Sequence, residues 1–354
     1  MSLSRAVPLS VLDLSILREG STSADALAQT TALALCAQDN GYHRFWVAEH
    51  HNMPSVACTT PPVLIAHLAG ATERIIIGSG GVMLPNHAPL VVAEQFAMLE
   101  ALHPGRIDVG IGRAPGTDQH TASALRRSEG ALGAEDFPQD LFELMDLLGD
   151  RRFDTKIGDR FKATPAATSF PRIFLLGSSG YSAHLAARLG LPFGFAHHFD
   201  MGGTFEAAEI YRSRFEPSHI LREPHMIVTA NVLAADSDEE AHWHAKSARL
   251  TGYLRRTGRF LALPSAQDAA DHPDIDQAER MPSSRIVGEA SKVAEQLHQL
   301  VARIGANEAM VTAVAYDTEA RVRSLQLLNK HWRKSDSFTA DREVRHHQVG
   351  LPHQ

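Results

Sequence analysis

Only two cysteines, Cys36 and Cys58, occur in 354 residues, so no disulfide framework staples this chain and its stability must come from a packed core. The material for one is present, since 44% of the residues are hydrophobic and 21% charged. Positive charge is scarce: Lys plus Arg is 34 against 41 for Asp plus Glu, a net −7 with a pI near 6.3. That balance excludes a broad nucleic-acid surface, because phosphate backbones select strongly basic faces. Long apolar runs are missing too. "PPVLIAHLAGA" is interrupted by His67 and is too short to cross a bilayer, so no membrane span is expected. No N-terminal stretch joins a charged start to a continuous apolar core, and the expectation is a cytoplasmic protein.

What is there is alternation. "PLSVLDLS" precedes an Ala/Leu-rich helical stretch that opens near Ser23 and stops at Asn40-Gly41. The theme returns in "FWVAEHH" with "TPPVLIAHLAGA", "RIIIGSGGVML" with "PLVVAEQFAMLEAL", and "RIDVGIGR" with "PQDLFELMDLLG". It continues through "RIFLLGSS", "PFGFAHH", "MIVTANVLAA" and "EAMVTAVAY", each followed by a helical pattern, which makes eight strand-helix pairs. An additional helix keeps Val293, Leu297, Leu300, Val301 and Ile304 on one face and stops at Gly305. Strands apolar on both faces and separated by helices argue for a parallel sheet with helices outside it. Eight units predict an α/β fold closed as a (β/α)8 TIM barrel with insertion loops; an open doubly wound sheet is the rival.

Residues 1–334 are therefore taken as one barrel domain. Arg113 to Asp136 is polar and Gly-rich, and Arg255 to Ser284 is Pro- and Asp-rich without a clear period. The second is the candidate lid insertion. Residues 335–354 form a charged, His-rich C-terminal tail, expected to be solvated.

A barrel of this kind builds its site at the C-terminal ends of the strands. The "EHH" of Glu49, His50 and His51 lies at one such end. A metal site is the first possibility, but His50 and His51 are neighbours on a strand and point to opposite faces, so no metal is expected there. His50 is either structural or an acid-base group with a pKa near neutrality. "GIGRAPG" fails the dinucleotide fingerprint, because Pro115 stands at the third glycine position and no helix follows at once. Arg113 remains, an always-charged fork suited to a phosphate or to an ordinary ion pair at the rim. "LLGSSGYSAHLAARLG" brings Ser178, Ser179 and a helix start together, which suits an anion, unless Ser179 only caps its helix. Arg113 and that turn together favour a shared phosphate site. Ser79, Gly80 and Gly81 interrupt a strand with glycine, marking either close approach by a flat ligand or crowding by a neighbouring helix.

These stretches resemble a known family. "VAEHHN", "IGSGGVMLPNHAPLVVAEQF", "HPGRIDVGIGRAPGTD" and "LLGSSGYSAHLAARLGLPFGFAHHF" are similar to the bacterial luciferase-like flavin monooxygenases, and the similarity runs on through "VTAVAYDTEARVRSLQLL". The resemblance implies a barrel that binds FMN, reduced and used as a cosubstrate, with oxygen activated at the flavin; Trp46, Phe193 and Phe195, read as pocket lining, point to a small, partly hydrophobic organic substrate. It places His50 at the family's catalytic histidine and Gly80-Gly81 at a pair joined by a cis peptide beside the flavin ring. Ser79, which precedes that pair, is taken with it as cofactor-binding. Arg113, Ser179 and Ser182 match phosphate contacts, with Ser178 in the same turn, and His197 matches an aromatic wall for the flavin. Two departures stand out: Gly112 replaces a reactive cysteine of the light-emitting members, and Ser178 replaces a phosphate-site glutamate. They bear on light emission and not on flavin binding. The resemblance further implies a separate flavin reductase and a homodimer through helices near the second and third strands. Two alternatives keep the barrel: a deazaflavin-dependent oxidoreductase, and a non-catalytic flavin-binding protein.

Overall fold

The computed structural model describes residues 7–126, 136–153, 155–199 and 201–348. Its strands are β1 (Leu9–Asp13), β2 (Arg44–Val47), β3 (Ile76–Met83), β4 (Ile107–Gly112), β5 (Arg172–Gly177), β6 (Phe193–Phe195), β7 (Met226–Ala235), β8 (Ile286–Glu289) and β9 (Glu308–Thr312). All pairings between them are parallel. Strands β1 to β6 pair in sequence, β6 pairs with β7, β7 with β9, and β9 returns to β1, so eight strands close on themselves. The expected (β/α)8 barrel is the observed one. Strand β8 lies outside the ring; it pairs only with Val232–Ala235 of β7, beyond the part of β7 that holds β9. The sequence pattern does not show it, because four residues ending in Gly288-Glu289 carry too little alternation to stand out from a loop.

The helices are α1 (Ser23–Asp39), α2 (Pro61–Ala71), α3 (Pro89–Leu102), α4 (Gln119–Arg126), α5 (Phe137–Leu147), α6 (Ile157–Arg160), α7 (Gly180–Leu189), α8 (Thr204–Ser213), α9 (Asp238–Arg256), α10 (Ala266–Ala270), α11 (Ile275–Arg280), α12 (Ala290–Ile304) and α13 (Thr318–Gln348). Local chemistry sets their ends. Thr22 and Asp25 form a reciprocal capping box at α1, proline occupies the first turn of α2 and α3, and Gly305 in the left-handed region closes α12. The periodic face of α12 is buried as expected, through Val293, Leu297, Val301 and Ile304. Burial of each such side chain contributes about 1.5–3 kcal/mol.

Inside the ring, Leu12, Trp46, Phe174, Ile227 and Met310 form an apolar layer. Next to it lies a buried ionic network. Arg44 bridges Asp108 at 2.7 Å and Glu308 at 2.8 Å, while Trp46 donates its indole N–H to Asp108 and Ser10 donates to Glu308. Burial alone would raise the Glu308 carboxyl, but the His225 ring 3.7 Å away, the Arg44 charge and hydrogen bonds from Arg44 and Ser10 hold it down to about 2. For Asp108 burial dominates, and its pKa is raised.

Two sequence expectations change. The segment 255–284 is not irregular: it carries α10 and α11, which pack on α9 around Leu250, Leu254, Ala269 and Ala278. Leu263 also bonds to the backbone of Leu17 and Glu19, which fastens the segment to the loop after β1. These helices are short, and their apolar residues meet another helix rather than the barrel, so no barrel-facing period exists to be read. The chain beyond Ser335 is not simply a tail, because α13 continues to Gln348. Most of the polar stretch 113–136 is described, but 127–135 lie outside the described residues, as do 349–354.

Candidate active site

Alternation along the end of β2 decides which groups enter the barrel mouth. Ala48 and His50 line a cavity that encloses about 940 Å3 out to its open mouth, whereas Glu49 and His51 turn the other way. His50 is largely buried, and its Nδ1 has no hydrogen-bond partner. Burial and then the positive charge of Arg255 lower its pKa, so the imidazole is neutral near pH 7.

Glu49 fixes the rim. Its fully buried carboxylate accepts from His51 and His87, each at 2.8 Å, from the Met83 backbone N–H at 3.1 Å and from Asn86 at 3.3 Å. Those bonds outweigh the effect of burial and hold the acid at about 2. Glu49, His51 and His87 place donor atoms within 4.8 Å of one another, a grouping that could hold a metal ion. His87 carries no local signal in the sequence; only the packing of the turn after β3 brings it to Glu49. Here the carboxylate is occupied by protein donors and ties the end of β2 to the end of β3.

The glycines of β3 and β4 have a packing reason. A Cβ on Gly80 would lie 2.7 Å from Leu12 Cδ1, and one on Gly81 would lie 2.6 Å from Leu176 Cδ1 and 2.7 Å from the Gly110 carbonyl oxygen. The crowding comes from barrel-interior side chains and the adjacent strand, not from a helix. The Gly80-Gly81 peptide is cis, and the register against β4 shifts between Gly80 and Val82.

Across the mouth, Gly112 and Arg113 at the end of β4 face Ser178, Ser179 and Ser182 at the start of α7. Ser179 occupies the N-cap position without a side-chain cap bond, so its hydroxyl is not spent on the helix. The Arg113 guanidinium lies 4.1 Å from the Tyr181 ring centroid and makes no ion pair among the described residues. Tyr181 directly follows Gly180 and was readable as part of that turn.

Two expected site residues are elsewhere. Ser79 does not line the cavity; its hydroxyl donates to the Gly110 carbonyl at 3.0 Å and accepts from the Gly110 N–H at 2.9 Å, clamping β3 to β4. His197 does not line it either, because its Nδ1 lies 2.9 Å from Thr204 Oγ1 at the start of α8. The short helical turn at His197–Phe199 presents His198 and Phe199 to the cavity instead. Burial brings the His198 imidazole down to about 3. A strand-end pattern could not separate two consecutive histidines once the chain leaves the strand.

Residues 9–308 match the family model described as luciferase-like monooxygenase. A luciferase-like monooxygenase of Escherichia coli strain K12 is 40% identical over 91% of this chain and 96% of its own. An N-acetyl-S-alkylcysteine monooxygenase of Bacillus subtilis is 36% identical over 91% and 97%. The solved structure of apo-MsnO8 is 36% identical, covers 92% of this chain and 98% of its own, and superposes with a TM-score of 0.86. At 18% identity the fold alone is shared with the oxygenating constituent of 3,6-diketocamphane monooxygenase from Pseudomonas putida, solved with FMN, at a TM-score of 0.67 over 92% and 97%. It is also shared, at 15% identity and 0.65, over 92% and 98%, with a tetrahydromethanopterin reductase of Methanopyrus kandleri dependent on coenzyme F420.

Proposed function

The chain belongs to the luciferase-like monooxygenase family, and from that premise we propose an FMN-dependent monooxygenase that uses reduced flavin and O2 on a small, partly hydrophobic organic substrate. The observation that carries this reading is Arg113, a guanidinium without an anionic partner among the described residues, facing an uncommitted serine turn in the cavity that holds His50 and the cis Gly80-Gly81 peptide. Arg113, Ser178, Ser179 and Ser182 would hold a phosphate, with the open N-terminus of α7 adding backbone N–H groups. Gly80-Gly81 lines the same cavity, and a flat ring would lie against its backbone. When bound, the reduced flavin supplies the electrons and the site of oxygen activation.

The protein's own part is positioning, dryness and proton handling. Leu12, Leu14, Trp46, Leu176 and Met310 make one wall apolar, which keeps water from the reacting centre. His50, neutral and with Nδ1 uncommitted, can accept or return a proton at a group placed against it. No second nucleotide-binding unit is evident in the sequence beside the barrel, which supports reduction of the flavin by a separate enzyme. Val63 on α2 and Val91, Met98 and Leu102 on α3 are exposed apolar side chains, and they support a homodimer through those helices. No helix among the described residues is long and apolar enough to cross a membrane.

The test is titration of the purified protein with FMN, riboflavin and a deazaflavin, followed by oxygen consumption with reduced FMN across a panel of organic substrates. Saturable FMN binding and substrate-dependent oxygen uptake are expected. Preference for the deazaflavin, or flavin binding with no substrate that moves oxygen uptake above its background, rejects the reading.

A further inference from the structure

The alternation that keeps His50 and His51 from sharing an ion has a second consequence. Glu49 and His51, two positions apart, lie on the same side, away from the cavity that His50 lines. The turn after β3 then delivers His87 to them, so the Nε2 atoms of His51 and His87 each lie 2.8 Å from a single oxygen, Glu49 Oε1. Among the described residues this is the one grouping of His, Cys, Asp or Glu side chains placed to hold a metal ion, its three ligand atoms all within 4.8 Å of one another.

The set has the chemistry of a transition-metal site. Two imidazoles and a carboxylate suit zinc and its neighbours, whereas Mg2+ and Ca2+ ask for more oxygen ligands than one carboxylate supplies. Zinc bonds of about 2.0–2.2 Å put tetrahedral N and O ligands roughly 3.3 Å apart, so each ring need draw back from Oε1 by only about half an ångström. The two rings stand at 54° with centroids 6.5 Å apart, so they approach from different directions and do not stack. Glu49 is fully buried, and its other oxygen accepts the Met83 N–H at 3.1 Å, which aims Oε1 at the rings as outer-shell bonds orient ligating carboxylates. Asn86 can give up its 3.3 Å contact with Oε1 and keep its bond to the Pro115 carbonyl at 2.9 Å. The His51 and His87 side chains are 15% and 28% exposed, so an ion can enter from solvent and keep a water in its fourth position.

We propose that Glu49, His51 and His87 bind one Zn2+ ion at the outer rim of the barrel mouth. The ion takes the place of the two Nε2 protons: a neutral ring moves its proton to Nδ1 and a charged ring releases one to solvent, which leaves both Nε2 lone pairs for the metal. Coordination then replaces hydrogen bonds as the tie between the ends of β2 and β3. Those ends carry His50 and Met83 on their cavity side, so the ion stiffens the mouth without touching what binds in it. The site does not depend on the flavin reading of the inner cavity.

The experiment strips the full-length protein with a chelator and titrates it with Zn2+ by calorimetry, with Mg2+ as the control, in wild type, H87Q and H51Q/H87Q. Glutamine keeps an N–H donor for Glu49 and has no imidazole lone pair, so the rim can still close in its metal-free form. The double variant should take up one Zn2+ per chain fewer than the wild type, whatever the other histidines hold. H87Q should bind that equivalent at least about tenfold more weakly, since even outer-shell losses cost about 10- to 100-fold. Zn2+ should raise the melting temperature of the wild type more than that of the double variant, and zinc-edge anomalous scattering from soaked crystals should peak between Glu49 and the two rings. Equal Zn2+ uptake by wild type and double variant overturns the proposal, as does Mg2+ binding as tight as that of Zn2+ or an anomalous map without a peak at the rim. If the double variant does not fold, the wild-type anomalous map decides by itself.

Discussion

Replacing Arg113 by methionine removes a charge while keeping a side chain of similar reach over Tyr181. In the wild type the guanidinium lies 4.1 Å from that ring, and among the described residues no protein anion competes for it. A phosphate beside it would gain charge-assisted hydrogen bonds worth about 1.5–3 kcal/mol. The site is half-exposed, so the lower part of that range applies, and about 1.4 kcal/mol is a factor of ten in dissociation constant. R113M should therefore bind FMN roughly 10- to 30-fold more weakly. Riboflavin has the same ring system and no phosphate, so its affinity should scarcely change. The assay is quenching of flavin fluorescence with both ligands in both proteins, which isolates the phosphate contribution as a ratio of ratios. Equal weakening of FMN and riboflavin would show that Arg113 supports the ring or the fold, and an unchanged FMN affinity would place the phosphate elsewhere. Either result refutes the anchor.

Three further outcomes follow from the same geometry. His50→Asn should leave FMN affinity intact and lower turnover about 10²- to 10⁴-fold, a range typical of lost acid-base assistance, read from steady-state rates once a substrate is in hand; full turnover would remove His50 from the chemistry. Gly110→Ala should destabilise the fold by about 2 kcal/mol or more in urea unfolding, because the added Cβ runs into the Ser79 carbonyl oxygen of the paired strand, where backbone cannot yield cheaply. Arg44→Met leaves two buried carboxylates without their cation and should cost about 3–5 kcal/mol. Glu308, held at about 2 against an ordinary value of 4.5, contributes stability that is complete above pH 4.5 and lost as pH falls towards 2. R44M should thus flatten the stability curve across that acid window, and an unaltered acid limb would contradict the assignment.

Much was legible in the sequence because much of it is set locally. The short continuous apolar runs, the caps at Thr22 and Gly305, and the prolines opening α2 and α3 define strands and helices without long-range help. Eight parallel units then leave a closed ring as the arrangement that buries both faces of every strand. The rule that strand ends carry chemistry pointed to His50, Gly80, Gly81, Arg113, Ser178 and Ser179, the family resemblance added Ser182, and all seven line one cavity. Glycine patterning marked close approach correctly, although Leu12, Leu176 and the Gly110 carbonyl are what approach.

Other assignments belonged to the tertiary structure, since they depend on which residues meet across distances the chain pattern does not encode. Ser79 and His197 stand next to true cavity residues and are turned away by partners on neighbouring elements, the Gly110 backbone and the Thr204 hydroxyl. The union of Glu49 with His87, and of Arg44 with Asp108 and Glu308, joins residues from different turns and strands. A sequence states which charges a chain carries; the fold decides which of them are left without a partner.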